Sequence, residues 1–279
     1  MIPPVVDRFI AGETVAGALE HTRGTNEAGI GVILNLLGEH YDSRADADAD
    51  AAAYRRLIGD IADSGLDASI SVKPSQLGLN VEESIFRENY RSIVAVAADN
   101  DVFVWCDMED ATTTDATLSA FEDVARETDG DVGVCVQSNL RRTRSDLERL
   151  ATIPGSVRLV KGAYDEPPAV AYQDPARVDE AFREDLTYMF EAFDGGIAVG
   201  SHDPAMIELA DRLHDEHATD YEIQMLMGVR EDAQRELVAD GYDVTQYAPF
   251  GSKWLSYTYR RVRERRQNLR FALRAVLGR

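Results

Sequence analysis

The sequence predicts a (β/α)8 barrel that occupies the whole chain, residues 1–279, as a single domain with a short N-terminal helical segment. Two observations indicate this fold: short apolar, β-favouring runs that recur along the chain, and helical patterns between them. The length is also one at which such barrels form a single domain. Alternation of strand and helix implies a parallel sheet, and eight strand-like runs suggest that the sheet closes.

The predicted strands are often apolar on consecutive positions, which is typical of parallel strands covered on both faces. They span residues 30–37, 68–73, 102–107, 132–137, 157–161, 196–200, 222–227 and 244–248. The clearest helix is 176–193, with one apolar face made of Val178, Phe182, Leu186, Met189, Phe190 and Phe193. Another is expected to begin at Pro204 after the N-cap candidate Asp203, with Met206, Ile207, Ala210 and Leu213 facing inward.

Residues 43–53 form an acidic segment of low complexity in which Asp and Ala alternate. We interpret it as the start of the first barrel helix, because a helix N-terminus favours negative charge. A metal-binding ladder is disfavoured, since alternate Asp residues on a helix point in diverging directions. Cys106 and Cys135 lie in apolar runs and are expected to be buried thiols, with neither a disulfide framework nor metal-ligand spacing.

The composition is strongly acidic, with 50 acidic residues, a net charge of −21 and only three lysines among 29 basic residues. Such a surface favours adaptation to high salt, with an acidic protein of ordinary salt as the alternative. Nucleic acid is not expected as a partner, because phosphate binding requires a basic surface.

Neither a signal peptide nor a run of about 20 apolar residues is visible, so a cytoplasmic protein is expected. The tail, 260–279, carries eight arginines and one acid, interleaved with apolar residues. We favour a terminal barrel helix packed on the acidic body, while peripheral contact with a membrane surface is the alternative.

Cations at strand ends point to a ligand site. Arg158 and Lys161 belong to a short apolar strand that stops at Gly162, and Lys73 ends another strand. A cation on a buried strand is costly unless it meets an anion, and barrels bind ligands at strand ends. We therefore expect these three side chains to contact a ligand.

Strand-end motifs in a fixed order extend this expectation. They are Leu37-Gly38-Glu39, Ser71-Val72-Lys73, Asp107-Met108-Glu109-Asp110, Arg158 to Tyr164, Ser201-His202-Asp203, Glu222 to Leu226, Tyr247 to Gly251 and Tyr257 to Arg261. The set, from about residue 9 to 270, resembles proline dehydrogenase, an FAD-dependent barrel enzyme that oxidises L-proline to Δ1-pyrroline-5-carboxylate. One motif alone would be weak, and the ordered set is specific.

The resemblance implies roles on the substrate side. Lys73, Arg260 and Arg261 would bind the carboxylate of L-proline, a task that suits the rigid fork of arginine. Asp107 and Arg158 would be catalytic, with Arg158 near flavin N5. For Asp107, orientation through a hydrogen bond to Tyr247 and a general-base role both stay open. A tyrosine at 247 favours proline over hydroxyproline, and Tyr164, Leu226 and Tyr257 would also wall the ring from water.

The cofactor implied by the resemblance is FAD. Its expected contacts are Met108, Gln137, Lys161, Gly162, Ala163, Ser201 and His202. Electrons would pass to a quinone, and the product would go to a separate pyrroline-5-carboxylate dehydrogenase. The dinucleotide fingerprint G-x-G-x-x-G after a strand is missing, which excludes a Rossmann domain.

Two competing hypotheses stay in view. In the first, Lys161 is the Schiff-base amine of a barrel aldolase, whose pKa neighbouring cations would lower. In the second, the chain is a non-enzymatic barrel that docks on membranes or partners through its tail, a hypothesis that leaves Lys73, Asp107 and Arg158 without a purpose. A yellow protein would favour the dehydrogenase over both.

Overall fold

The computed structural model describes residues 8–38 and 40–253, and in this part of the chain eight parallel strands close into a barrel. The strands are β1 (Gly31–Leu36), β2 (Ala68–Val72), β3 (Val104–Cys106), β4 (Val132–Gln137), β5 (Ser156–Val160), β6 (Ile197–Gly200), β7 (Tyr221–Leu226) and β8 (Val244–Phe250). Each pairs with the next, and β8 closes on β1 with Ile33 opposite Tyr247. The predicted (β/α)8 fold is confirmed.

Helices cover the outside of the barrel. They are α1 (Val15–Asn26), α2 (Arg44–Ser64), α3 (Glu83–Ala98), α4 (Thr114–Glu127), α5 (Thr143–Leu150), α6 (Pro175–Ala192), α7 (Pro204–His217) and α8 (Glu231–Ala239), with a 3-10 turn, Ala111–Thr113, before α4. Helix α1 precedes the first strand, which confirms the short N-terminal helical segment. The acidic segment 43–53 indeed lies at the start of α2, the first helix after β1.

Two helix starts follow directly from local sequence. Asp203 caps α7 by accepting a hydrogen bond from the Ala205 N–H at 3.1 Å, with Pro204 in the first turn. Asp174 caps α6 in the same way through Ala176, at 3.0 Å. A carboxylate at such a position satisfies an amide that the helix itself leaves unpaired. The inward residues predicted for α7 are all buried, whereas Val178 on α6 is only half-buried.

The side chains of each strand divide between two cores. On β1, Val32 and Leu34 belong to the large apolar cluster shared with the helices, while Ile33 joins Trp105 and Ala198 in a small cluster inside the barrel. This alternation is the normal consequence of a period of two in a strand. Gly133 on β4 is explained by the same interior cluster, because a Cβ there would overlap the indole of Trp105. Apolar packing thus closes the barrel beneath the polar strand ends.

Some predictions differ in detail or concern residues beyond the described ranges. The third strand is shorter than predicted, three residues instead of the run 102–107, although the Asp107 N–H still donates to the Val72 carbonyl at 2.9 Å. Both cysteines are free and buried, as predicted. Within residues 8–38 and 40–253, no helix combines the length and apolarity needed to cross a bilayer. The extent of the domain, 1–279, stays a prediction.

Candidate active site

A pocket of about 270 Å³ opens at the carboxyl ends of the strands, where the sequence placed the ligand site. Residues from the whole circumference of the barrel line it. We call five of them the floor cluster: Asn35, Lys73, Asp107, Arg158 and Tyr247. Residues Lys161–Ala163 together with His202 are called the rim segment.

Asp107, directly after β3, is the centre of the floor cluster. Its Oδ1 accepts hydrogen bonds from Ser71 Oγ at 2.8 Å and from Arg158 Nη2, and its Oδ2 accepts one from Tyr247 at 2.7 Å. Lys73 Nζ lies 3.5 Å from the same Oδ2. Burial alone would raise the pKa of Asp107, but Arg158 and Lys73 outweigh it and hold the pKa below its ordinary value. Asp107 is therefore a carboxylate whose two oxygens are already engaged.

Lys73 follows β2 and reaches the centre of the pocket. Its ammonium donates to Asn35 Oδ1 at 2.9 Å and to the Tyr247 hydroxyl at 3.3 Å, besides the longer contact with Asp107. Burial lowers the pKa of Lys73, yet Asp107 opposes it strongly enough that the pKa is raised overall. Lys73 is thus a fixed cation with one weak contact that an incoming anion can replace.

Arg158 on β5 is the most enclosed charge of the floor cluster, with 4% of the residue exposed. Its two terminal nitrogens donate to different partners, Asp107 and Gln224 Oε1, the latter at 2.8 Å. Its guanidinium carbon lies 5.0 Å from the ring centre of Trp105 and 5.5 Å from that of Tyr247. Aromatic faces attract a cation at such distances. Arg158 thus meets its anion within the protein, at Asp107, and its expected contact with a ligand stays a prediction.

Lys161 in the rim segment differs from Lys73. Its ammonium pairs with Asp179 on α6 at 2.6 Å and with Asp203, the cap of α7, at 2.9 Å. Burial would lower the pKa of Lys161, but the two carboxylates raise it overall. A Schiff-base lysine requires a lowered pKa, so the structure disfavours the aldolase hypothesis.

The turn after β5 runs along the pocket. Gly162 has a backbone φ of +109°, which residues other than glycine rarely adopt. A Cβ there would also overlap the amide of Asn139. The neighbouring Ala163 N–H donates to Gln137 Oε1 at 3.4 Å, while Gln137 Nε2 donates to the Glu109 carbonyl at 2.8 Å. Gln137 and Met108 both line the pocket, and their contact with a cofactor stays a prediction.

His202 and Ser201 follow β6 and have different surroundings. His202 Nε2 accepts a hydrogen bond from the Leu226 N–H at 3.1 Å, and its buried Nδ1 has no partner among the described residues. Burial and the nearby Arg230 lower the pKa of His202 to about 4, so the ring is neutral near pH 7. The Ser201 hydroxyl instead accepts from the Asp203 N–H at 3.1 Å and is not among the pocket-lining residues.

Several polar residues of the site were missed by the sequence analysis. Asn35 on β1 accepts from Lys73 and donates to the Ser71 carbonyl at 2.9 Å. Glu109 is 1% exposed and accepts from the Ser75 amide at 2.7 Å and hydroxyl at 2.8 Å, which fixes the turn after Lys73. Asn35 lies in the predicted strand 30–37 and Glu109 in one of the strand-end motifs, but nothing in their local pattern indicated their partners. Arg260, Arg261 and Tyr257 lie outside the described residues.

A closed parallel barrel with opposed charges at its carboxyl end is typical of the barrel enzymes, whose active sites lie at this end. Residues 18–274 match the sequence model of the family described as proline dehydrogenase. The chain therefore belongs to the proline dehydrogenase family.

Curated relatives agree in name and in extent. The chain is 34% identical over 274 residues to proline dehydrogenase 1 of Bacillus subtilis subsp. natto, a match that covers 97% of this chain and 90% of the relative. It is also 34% identical over 280 residues to proline dehydrogenase of Deinococcus radiodurans, covering 98% and 90%.

Solved structures show the same fold. The structure of proline utilization A from Bdellovibrio bacteriovorus, inactivated by N-propargylglycine, superposes with a TM-score of 0.84 at 22% identity. The match covers 93% of this chain but only 32% of that longer protein. Proline utilization A from Corynebacterium freiburgense gives a TM-score of 0.78 at 20% identity, over 98% of this chain and 32% of the other.

Proposed function

We propose that the chain is an FAD-dependent proline dehydrogenase, which oxidises L-proline to Δ1-pyrroline-5-carboxylate as the first step of proline breakdown. The observation that carries the proposal is the floor cluster, where Lys73 and Arg158 flank a single carboxylate, Asp107. Within the floor cluster itself this is an excess of one positive charge, while the nearby carboxylates of Glu109 and Glu222 are not among the pocket-lining residues. Such an excess suits a substrate with a carboxylate, and family membership supplies its identity.

Lys73 would bind the substrate carboxylate. Its contact with Asp107 is the longest of its three and is the one most easily exchanged for a ligand oxygen. Asn35 and Tyr247 would then keep the ammonium in place while the substrate binds. Arg260 and Arg261, outside the described residues, complete the carboxylate site in this proposal.

Asp107 would orient its neighbours and balance charge, without serving as a general base. Hydride loss requires a neutral amine, and an efficient base has a pKa near the working pH. The pKa of Asp107 is instead held low, and its oxygens accept from Ser71, Arg158 and Tyr247. A carboxylate in this state holds Arg158 and Tyr247 in one geometry.

The residues of the rim segment fit a cofactor. His202 Nδ1 is buried without a partner among the described residues, although it belongs to a pocket-lining side chain, so a bound group can satisfy it. Lys161, Gly162, Ala163, Met108 and Gln137 would hold FAD with His202, and Ser201 would act from beside the pocket through the α7 cap. When bound, FAD supplies a hydride acceptor, from which a quinone takes the electrons.

Arg158 would stabilise negative charge that develops above the pocket floor. A cation fixed in a site of low dielectric needs no reorganisation at the moment of reaction, so its effect is larger than in water.

Gln137 can exchange its 3.4 Å bond from Ala163 for a contact with a bound ring while keeping the shorter bond to the Glu109 carbonyl.

The remaining parts of the proposal concern partners. The product needs a second oxidation, which we assign to a separate pyrroline-5-carboxylate dehydrogenase. Access to a quinone would involve the alternative interpretation of the basic tail, 260–279, in which it contacts the inner face of a membrane instead of packing on the acidic body. The tail lies outside the described residues, and its composition is what supports this part.

The first experiment records the visible spectrum of protein purified in concentrated salt and then adds L-proline without oxygen. The proposed function predicts a flavin spectrum that is bleached by L-proline and is not changed by glycine. Flavin that does not bleach would redirect the substrate to another cyclic imino acid. Absence of flavin after addition of FAD would contradict the proposal.

A further inference from the structure

We infer that Gln224 and Glu222 on β7 are positioning residues for Arg158, which they fix through a directed chain of hydrogen bonds that ends at Thr245 on β8. The inference rests on the proposed function in one respect, that the fixed guanidinium takes part in the reaction. The geometry of the chain is independent of that function.

Three hydrogen bonds connect Arg158 to Thr245. Arg158 Nη1 donates to Gln224 Oε1 at 2.8 Å, Gln224 Nε2 donates to Glu222 Oε1 at 2.7 Å, and Thr245 Oγ1 donates to Glu222 Oε2 at 2.7 Å. Arg158 and Gln224 are each 4% exposed. Residues 222 and 224 project to the same face of β7 because side chains alternate along a strand. These hydrogen bonds therefore lie inside the barrel, with Arg158 and Gln224 lining the pocket, whereas Glu222 and Thr245 are not among its lining residues.

The donor-to-acceptor direction of these hydrogen bonds follows from the chemistry of the side chains involved. A guanidinium has donors only, so the Gln224 amide must present its oxygen to Arg158 and its NH2 group to the other side. An ionised carboxylate has acceptors only, and Glu222 is the group that receives this NH2. Glu222 thus selects one of the two orientations of the Gln224 amide. In the opposite orientation, two donors would face each other at Arg158.

The second terminal nitrogen of Arg158 is held independently by Asp107. Trp105 and Tyr247 lie near the guanidinium at 5.0 and 5.5 Å. Without Gln224, the guanidinium would keep, among the described residues, only Asp107 and the weaker contact with the Cys135 thiol as hydrogen-bond partners. With Gln224 as well, both terminal nitrogens are fixed, and so is the tilt of the plane. Gln224 determines the orientation of Arg158, while Asp107 determines its charge environment.

The test compares Gln224→Leu and Glu222→Leu with Glu222→Gln, which can still accept from Gln224 and donate to Thr245. Gln246→Leu is the matched control, because Gln246 is a buried glutamine of the barrel wall, 4% exposed, that bonds to Gln234 and His21 instead. Two readouts are used. One is the emission of Trp105 in the apoprotein, in a Trp254→Phe background that leaves it as the only tryptophan. The other is the rate of flavin bleaching at saturating L-proline.

The expected result is a shifted Trp105 emission and a bleaching rate lowered about 10- to 100-fold in Gln224→Leu, by analogy with the loss of residues that orient metal-binding side chains. Glu222→Leu should change both readouts in the same direction, and Glu222→Gln should restore most of each. Gln246→Leu should leave both close to those of the parent. The KM for L-proline should change less than the bleaching rate in every variant.

Unchanged emission and rate in Gln224→Leu would overturn the inference, as would a change confined to KM, which would make Gln224 a substrate contact. If Gln224→Leu does not fold, Gln224→Met keeps the length of the side chain without its acceptor and carries the same measurements. If the parent protein is not bleached by L-proline, the proposed function fails, while the emission of Trp105 still decides whether Gln224 and Glu222 orient Arg158.

Discussion

The floor cluster and the rim segment of the same pocket use their charges in opposite ways. In the floor cluster, Lys73 and Arg158 point inward and share Asp107 with Tyr247. In the rim segment, Lys161 is paired outward with carboxylates of α6 and α7, and His202 Nδ1 has no partner among the described residues. The floor is preorganised around a small ion, whereas the rim leaves backbone and imidazole groups available for a larger ligand.

Removal of Arg158 should have the largest effect on the floor cluster and on turnover. We expect Arg158→Ala to lower turnover by about 1,000-fold or more, because a preorganised charge is lost and Asp107 loses its closest cation. The measurement is kcat at saturating FAD and L-proline. Arg91→Ala, which removes an exposed ion pair with Glu127, is the matched control and should stay near the parent value. Near-native turnover of Arg158→Ala would sink the assigned role.

Asp107→Asn tests whether the floor depends on a charge or on hydrogen bonding. We expect kcat to fall about 100-fold, since the amide keeps an acceptor but loses the negative charge between two cations. In the parent, the lowered pKa keeps Asp107 ionised even at pH values near the ordinary pKa of aspartate. Its titration should therefore not appear in the kcat profile between pH 5 and 8. A limb in that range that disappears in Asp107→Asn would identify it as a general base.

The two lysines should separate binding of the substrate from binding of the cofactor. Lys73→Met is expected to raise the KM for L-proline about 10- to 100-fold through loss of a charge-assisted contact, with little change in FAD affinity. Lys161→Met should weaken FAD binding about 10-fold and leave KM close to that of the parent, because its charge lies at the rim. Isothermal titration of the apoprotein with FAD and steady-state kinetics distinguish them. The same KM increase in both variants would show that floor and rim are not distinct.

Substitution of Asp185 on α6 should have the smallest effect on the site, because the pKa of this carboxylate is shifted in the opposite direction to that of Asp107 and it lies outside the pocket. Asp185 is buried and the Asp107 side chain is only 13% exposed, but burial raises the pKa of Asp185 to about 6 because the opposing groups, Ser138 and Arg144, are too weak. A group whose pKa is raised on folding destabilises the fold as pH rises from about 4 to about 6. Asp185→Asn should therefore increase the free energy of unfolding at pH 7 by up to about 3 kcal/mol.

That substitution should leave kcat unchanged and flatten the dependence of stability on pH between 4 and 7. Urea unfolding at several pH values measures it, with the exposed Asp232→Asn as control. Equal stability of parent and Asp185→Asn at pH 7 would refute the raised pKa.

The sequence predicted the barrel well because its signal is repetitive. Apolar runs and amphipathic helices recur along the chain, so an error of one or two residues at any strand end, as at β3, does not alter the fold. Lys73 and Arg158 were also predictable, since an isolated cation on an apolar strand requires a partner. Their placement beside Asp107 is what the structure adds.

Other parts of the site could not be read in advance. Asn35, Glu109 and Gln224 are ordinary polar residues in sequence, and each finds a partner in a distant part of the sequence. The Lys73 partner of Asn35, for instance, lies 38 residues along the chain. Ser201 sits next to His202, yet one side chain serves the α7 cap and the other lines the pocket. The FAD contacts, the roles of Arg260 and Arg261, and the high-salt adaptation stay predictions.

The scarcity of lysine has a practical consequence for chemical labelling. Lys73, Lys161 and Lys253 supply every side-chain amine of the chain, and two of them line the pocket. Their side chains are 15%, 32% and 49% exposed. An amine-directed reagent therefore has few side chains to label: Lys253, the most exposed, is not among the pocket-lining residues, and the two others line the pocket. Coupling to a solid support through amines would, for the same reason, risk blocking the entrance to the barrel.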